Sequence, residues 1–205
     1  MSSASRLRRV VSSWSRCGRR GRNRSGCQPK NSGLWPGRLP WEATLLKIPK
    51  STISKVCLDS SYLVALYDQR DVFHRTALAI QEVLEERGLH CLYLDCVLNE
   101  VLSVLIRRAG QRGLAPDEVL ARLLGALPPS LLTWTYPAVP EWFGRCLGIM
   151  RETGWALNFH DALIVVAWQE FGFAALVSFD SDFDRVPGLR RLGSVETVRS
   201  WLAER

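Results

Sequence analysis

The sequence has no pair of cysteines at the CxxC spacing, no lysine after Lys55, and no uninterrupted apolar run of membrane-spanning length. Each absence excludes something. The six cysteines, at 17, 27, 57, 91, 96 and 146, are dispersed, and Cys57 and Cys91 lie inside apolar runs. That pattern reads as reduced, buried thiols of a cytoplasmic protein, not as a disulfide framework or a zinc site. His74, His90 and His160 are equally scattered, so imidazole offers no zinc signature either. A transmembrane helix needs about 18 or more consecutive apolar residues, and none occurs. The N-terminal "VVSSW" is interrupted too quickly by polar and basic residues to form the apolar core of a secretory signal. No membrane association is expected.

Acidic residues are nearly missing from the first quarter of the chain. Residues 1–55 hold 13 of the 27 Lys and Arg and a single acid, Glu42, for a net +12; residues 56–205 hold 14 Arg and 19 acids, for −5, and together these recover the overall +7. The segment "SRLRRVVSSWSRCGRRGRNRSG" has little apolar periodicity and too little surface to bury, so residues 1–50 are expected to be a disordered basic arm ending in a Pro-broken linker, "LWPGRLPWEATLLKIPK". Three roles compete for it: a nonspecific nucleic-acid contact arm, an organelle transit peptide, or an artefact of a start codon placed too far upstream. Residues 55–205 are expected to form one domain, since 47% hydrophobic content suffices for a packed core.

In that domain strand and helix patterns alternate. "VCL" is a strand ending at Asp59, and "SYLVALY" a short helix. Residues 71–88 place apolar side chains at 73, 77, 80 and 84, one helix face, with Gly88 as the stop. "LHCLYL" is a second strand, followed by the helix "DCVLNEVLSVLIRRAG" with Asp95 as its expected N-cap. A helix opened by Pro116 comes next, then a strand in "LLTWTY" and a helix over 138–153. "HDALIVVAWQEFG" is apolar nearly all round, which marks a buried helix. The strand "AALVS", a short strand near 192–195 and a closing helix complete the pattern. Such alternation predicts an α/β domain with a mainly parallel sheet covered by helices on both faces. Sites in such sheets lie beyond the C-terminal strand ends.

Four acids fall at or near that edge. Asp59 follows the first strand, and Asp180, with Asp182 and Asp184 behind it, follows "AALVS". Asp161 begins the buried helix, where the dipole favours a negative charge. Glu100 lies one turn into its helix, among Cys96, Val97, Ser103 and Val104. Taken singly, Asp59 and Asp161 are explained as helix caps, Asp180 as a turn residue and Glu100 as a surface acid. Together, four converging anions repel one another unless cations join them. Carboxylates without His or Cys suit Mg²⁺ or Mn²⁺, and the chemistry indicated is phosphodiester hydrolysis with two ions.

The blocks "VCLDSSYLVALYDQRDVFHRTA", "LYLDCVLNEVLSVLIRR", "HDALIVVAWQEFG" and "ALVSFDSDF" resemble those of the PIN-domain family of metal-dependent ribonucleases, in particular the VapC-type toxins of bacterial toxin–antitoxin pairs. The resemblance runs from about Val56 to Leu202. It implies a three-layer α/β/α fold, cleavage of single-stranded or looped RNA, two Mg²⁺ or Mn²⁺ ions, a cognate antitoxin that blocks the site, and a possible homodimer. Position by position it places the family's acids on Asp59, Glu100, Asp161 and Asp180, with Asp182 a second candidate for the fourth. Ser60 matches the family's small hydroxyl residue, whereas Ser61 stands where many members have Asn, which leaves its supporting role open. Arg107 and Arg108 are weaker candidates for phosphate contacts, while His74 and His160 are more simply structural. The Trp residues at 134, 142, 155 and 168 are expected in the core or at interfaces. The alternative is a non-catalytic PIN-type RNA-binding or regulatory module. A phosphatase with Asp59 as nucleophile is disfavoured, because Tyr62 follows Ser61 where a second acid is needed and the domain lacks lysine.

Overall fold

The computed structural model describes residues 55–205, so the expected basic arm lies outside the described residues. The chain runs β1 (Lys55–Leu58), α1 (Ser60–Tyr67), α2 (His74–Glu86), β2 (His90–Leu94), α3 (Asp95–Gln111), α4 (Pro116–Ala126), β3 (Leu132–Thr133), α5 (Val139–Glu152), α6 (Phe159–Phe171), β4 (Ala175–Val177), β5 (Arg191–Leu192) and α7 (Val195–Ala203). The five strands form one sheet in the order β3-β2-β1-β4-β5, and every pairing is parallel. β1 is central, with Val56 opposite Cys91 on one side and Ala175 on the other.

A strand buried on both sides must be apolar throughout, and Val56, Cys57, Leu58, Ala175, Leu176 and Val177 are all fully buried. Parallel crossovers are right-handed as a rule, which for this strand order places α1–α4 and α5–α6 on opposite faces. The helix packing follows: α1 lies on α2 and α3, α3 on α4, α7 on α2, and α5 on α6. Helix α6 is buried continuously from Asp161 to Ala167, as its uniform apolarity requires. The chain order reverses between β1 and β4, which opens a crevice at their C-terminal ends. Among the described residues no helix is long and apolar enough to cross a membrane. Cys57, Cys91, Cys96 and Cys146 are free and buried, and burial pushes the Cys91 thiol up to about 12.

Several expectations need correction. Asp95 is the first residue of α3, not its N-cap, which is Leu94. Its carboxylate instead reaches across the sheet end, accepting from Thr135 Oγ1 and from the backbone N–H groups of Thr135 and Tyr136 (both 2.9 Å). Those are N–H groups a longer β3 would need. The strand expected in "LLTWTY" therefore stops at Thr133, opposite Leu94, where its partner becomes helix. Helix α2 begins at His74, because Asp71 Oδ1 accepts from Phe73 N (3.0 Å) and holds the preceding residues in a turn. The last strand is Arg191–Leu192, ahead of the expected 192–195. Trp142 is buried and Trp168 packs on the core, but Trp134 and Trp155 are 51% and 64% exposed.

Candidate active site

Asp59 leaves β1 and Ser178 leaves β4 at the reversal point, and the two strand ends are tied together. Asp59 N donates to Val177 O (3.0 Å). The Asp59 carboxylate is also the N-cap of α1, so the capping reading and the site reading describe one group. Its Oδ2 accepts from Ser61 Oγ (2.6 Å), Ser178 Oγ (2.7 Å) and Ser61 N (3.3 Å). Oδ1 has only Ser60 Oγ, at 3.4 Å, besides. Each of the first two hydroxyls accepts in turn from the chain leading to the fourth acid: Ser61 Oγ from Phe179 N and Ser178 Oγ from Asp180 N, both 3.0 Å. Asp180 itself caps the 3₁₀ turn Ser181–Arg185, accepting from Asp182 N (2.9 Å).

The other two acids come from α3 and α6, which touch. Asp161 stands in a capping box: Asn158 Oδ1 accepts from His160 N and Asp161 N, while Asp161 Oδ2 accepts from Asn158 N (2.9 Å). Burial pushes the Asp161 carboxyl up to about 7; the Asn158 N–H opposes this, and the charges of Asp59, Asp180 and Glu100 add to it. Burial also raises Asp59, against the lowering effect of the Ser61 and Ser178 hydroxyls. Asp161 thus senses the other three acids. They line a single open pocket of about 380 Å³ together with Ser60, Ser61, Asn158, Phe73 and Phe179.

Other sequence candidates divide. Arg108 lines the same pocket, but its Nη1 is held by Asp68 and Asp71, each at 2.8 Å. Arg107 is exposed and does not line it. Asp182 also lies outside, half-exposed beside Arg185 (3.4 Å), while Asp180 faces in. His160 is not among the lining residues. His74 donates through Nδ1 to Ala65 O (2.7 Å) and so joins α2 to α1.

Sequence reasoning left Ser61 open and passed over Ser178. The available signal was a hydroxyl residue two positions from an acid at both strand ends, in "DSS" and "SFD". It also missed Arg191. That guanidinium pairs bidentately with Asp184 (2.7 Å twice) and donates to Ser178 O (3.2 Å), bracing the turn that carries Ser178 and Asp180. Gly193 allows this, because a Cβ there would collide with Arg191 Nη1.

Among the described residues no three His, Cys, Asp or Glu groups form a ready-made metal cage. The donor set nonetheless fits a hard divalent cation. It is made of carboxylate oxygens, with Asp161 raised by burial and further by its anionic neighbours. Mg²⁺ in particular uses one or two carboxylates, retains waters and takes phosphate oxygens, and so needs no closed cage.

The fold is similar to that of PAE2754 from Pyrobaculum aerophilum, at 20% identity over 78% of this chain and 96% of that one, with a TM-score of 0.50. Weaker overlaps are with VapC20 of Mycobacterium tuberculosis, described as a sarcin-ricin loop cleaving toxin (21% identity, 66% of this chain and 98% of that one, TM-score 0.49). The same holds for VapBC2 of Rickettsia felis bound to a promoter DNA fragment (16% identity, 67% and 97%, TM-score 0.48). No curated protein matches the sequence. The PIN domain family model matches residues 56–189, most of the chain, and with the all-parallel sheet and its acid-lined edge it gives the conclusion: this chain belongs to the PIN domain family.

Proposed function

We propose that the protein is a divalent-metal-dependent endoribonuclease, the toxin of a two-protein pair whose antitoxin blocks the site. The observation that carries the reading is the shared pocket of Asp59, Glu100, Asp161 and Asp180, in which Asp161 is pushed up to about 7 by burial and by the other three. Those four residues would hold Mg²⁺ or Mn²⁺, two ions in this reading, which when bound supply Lewis-acid polarisation of the phosphodiester and an acidified water. Ser61 and Ser178 fix Asp59 Oδ2 and leave Oδ1 lightly engaged for a ligand. Ser60 Oγ and Arg108 stand on the pocket wall, where a scissile phosphate would lie; Arg107 and Asp182 have outer roles at most. The toxin assignment rests on the resemblance of the four sequence blocks to VapC-type members. A basic arm over 1–50, a nuclease domain over 55–205, a cytoplasmic location and a homodimer belong to the same proposal.

The test is cleavage of a mixed single-stranded RNA pool with Mg²⁺ or Mn²⁺, alongside EDTA and the Asp59→Asn variant. Cutting that disappears in both controls supports the nuclease. A folded protein that cuts nothing under either metal favours the second reading, a catalytically quiet RNA-binding module.

A further inference from the structure

Beside the acids, the pocket rim carries two stacked phenylalanine rings, backed by a buried tyrosine. Tyr62, fully buried, lies tilted against Phe179 (centroids 6.1 Å apart), and Phe179 stacks on Phe73 at 4.6 Å with an interplanar angle of 15°. Phe73 ends the series and is 47% exposed, next to Val72 at 88%. Phe179 is the residue before Asp180, and both phenylalanines line the acid pocket. A large ring left half in water at the edge of a reaction pocket is an unfinished stack.

The tip that carries Phe73 is held before any ligand arrives. Asp71 Oδ1 accepts from Phe73 N (3.0 Å), while Asp71 Oδ2 receives Arg108 Nη1 (2.8 Å). Asp71 N donates to Asp68 O (2.9 Å), and Asp68 is itself gripped by Arg108 and by both terminal nitrogens of Arg112. Ordering a ring in advance removes part of the cost of binding to it. The paired Arg108 also explains why a cation lines the pocket without neutralising the four acids.

We propose that the outer face of Phe73 is a nucleobase subsite: an unpaired base adds to the Phe179–Phe73 stack while the adjoining phosphate lies over the acids. The inference rests on the nucleic-acid reading of the pocket and names a feature of its substrate. The ring is uncharged and flat, so it recognises a base by its π-face with little sequence preference. Bases inside a duplex have both faces covered by neighbours, so the platform selects single strands, loops and flipped nucleotides. An acidic ligand lacking bound cations is disfavoured by Asp59, Asp71, Glu100, Asp161 and Asp180 on the same wall.

The experiment uses the full chain and single-stranded RNA hexamers that contain 2-aminopurine, whose fluorescence drops on stacking. A companion set carries one abasic position moved along the strand. With Mn²⁺, Phe73→Ala and Phe73→Leu raise KM about 10-fold with kcat nearly unchanged, and Phe73→Trp restores wild-type KM. At one abasic position the wild type and Phe73→Ala become equal, since the interaction has been removed from both. Circular dichroism establishes that each variant is folded. The subsite is overturned if wild type cleaves but the Ala and Leu variants match it, or if their defect persists at every abasic position. It is also overturned if Phe73→Ala handles RNA normally and loses only inhibition by a protein partner. A wild type that quenches the probe without cleaving removes the nuclease and leaves the subsite. One that does neither removes both.

Discussion

Two carboxylate clusters, one around Asp59 and one around Asp68, lie at opposite ends of α1 and have opposite electrostatics. At the C-terminal end of α1, Asp68 is met by Arg108 and Arg112; burial alone would raise its carboxyl, but the two guanidinium groups outweigh that and hold it below the usual range. At the strand edge, burial and three neighbouring acids push Asp161 up to about 7. One cluster is closed by cations from its own chain. The other is left anionic, at a cost to the metal-free fold, which is the condition for accepting a cation from solution.

The sharpest way to break the comparison is to remove charge from each side. Asp59→Asn should lower any metal-dependent cleavage on the order of a thousandfold, whereas Ser178→Ala, which only positions Asp59, should cost about 10–100-fold. Steady-state kinetics on one RNA substrate reads both. On the paired side, Asp68→Ala should destabilise the fold by about 2 kcal/mol in urea titration. That is below the usual loss for a broken buried pair, because Arg108 and Arg112 are 32% and 27% exposed and can rehydrate.

The pH responses should run in opposite directions. Asp68 has a lowered folded pKa, so its contribution is present above the unfolded value near 3.9 and is lost as pH falls through the folded one. Asp161 has a raised folded pKa, so its folded form keeps a proton that the unfolded chain has released between about 3.9 and 7. Metal-free stability from this group therefore declines as pH rises through that window. Asp161→Asn should flatten the decline and stabilise the metal-free protein at pH 7.5 by about 1 kcal/mol, discounted for solvent in the open pocket. Thermal melts at pH 5.5 and 7.5, with and without Mn²⁺, check the sign. Divalent affinity should weaken as pH drops below about 7, since ligand binding competes with the proton.

The smallest effect separates Asp180 from Asp182. Asp182 is outside the pocket in an exposed pair with Arg185, so Asp182→Asn should change stability by less than about 0.5 kcal/mol and leave cleavage unchanged. A large loss of activity would move the fourth ligand from Asp180 to Asp182.

The fold was legible wherever local pattern and tertiary role agree. Residues 56–58 of β1, all of β4 and residues 162–167 of α6 are uniformly apolar because they are buried, and acids follow those strands because their C-terminal ends open into the crevice. The sequence reading faltered where a partner is distant. Nothing near Asp95 announces that its carboxylate will take the N–H groups of Thr135 and Tyr136 and shorten β3. The four acids could be named from position and resemblance. The hydroxyls that orient Asp59 left only the faint signal of a serine two positions from an acid, since Ser61 and Ser178 meet only when β1 pairs with β4.

That pairing has a consequence in time. Cys57 lies beside Leu176, with more than half of the chain between them, so the β1–β4 ladder carries the loop-closure entropy of α1 through α6. During synthesis Asp59 emerges long before Ser178 and Asp180. A nascent chain without β4 therefore carries the first acid and no edge to assemble it on. On the proposed reading, the four-acid pocket can form only once the last quarter of the chain has been made.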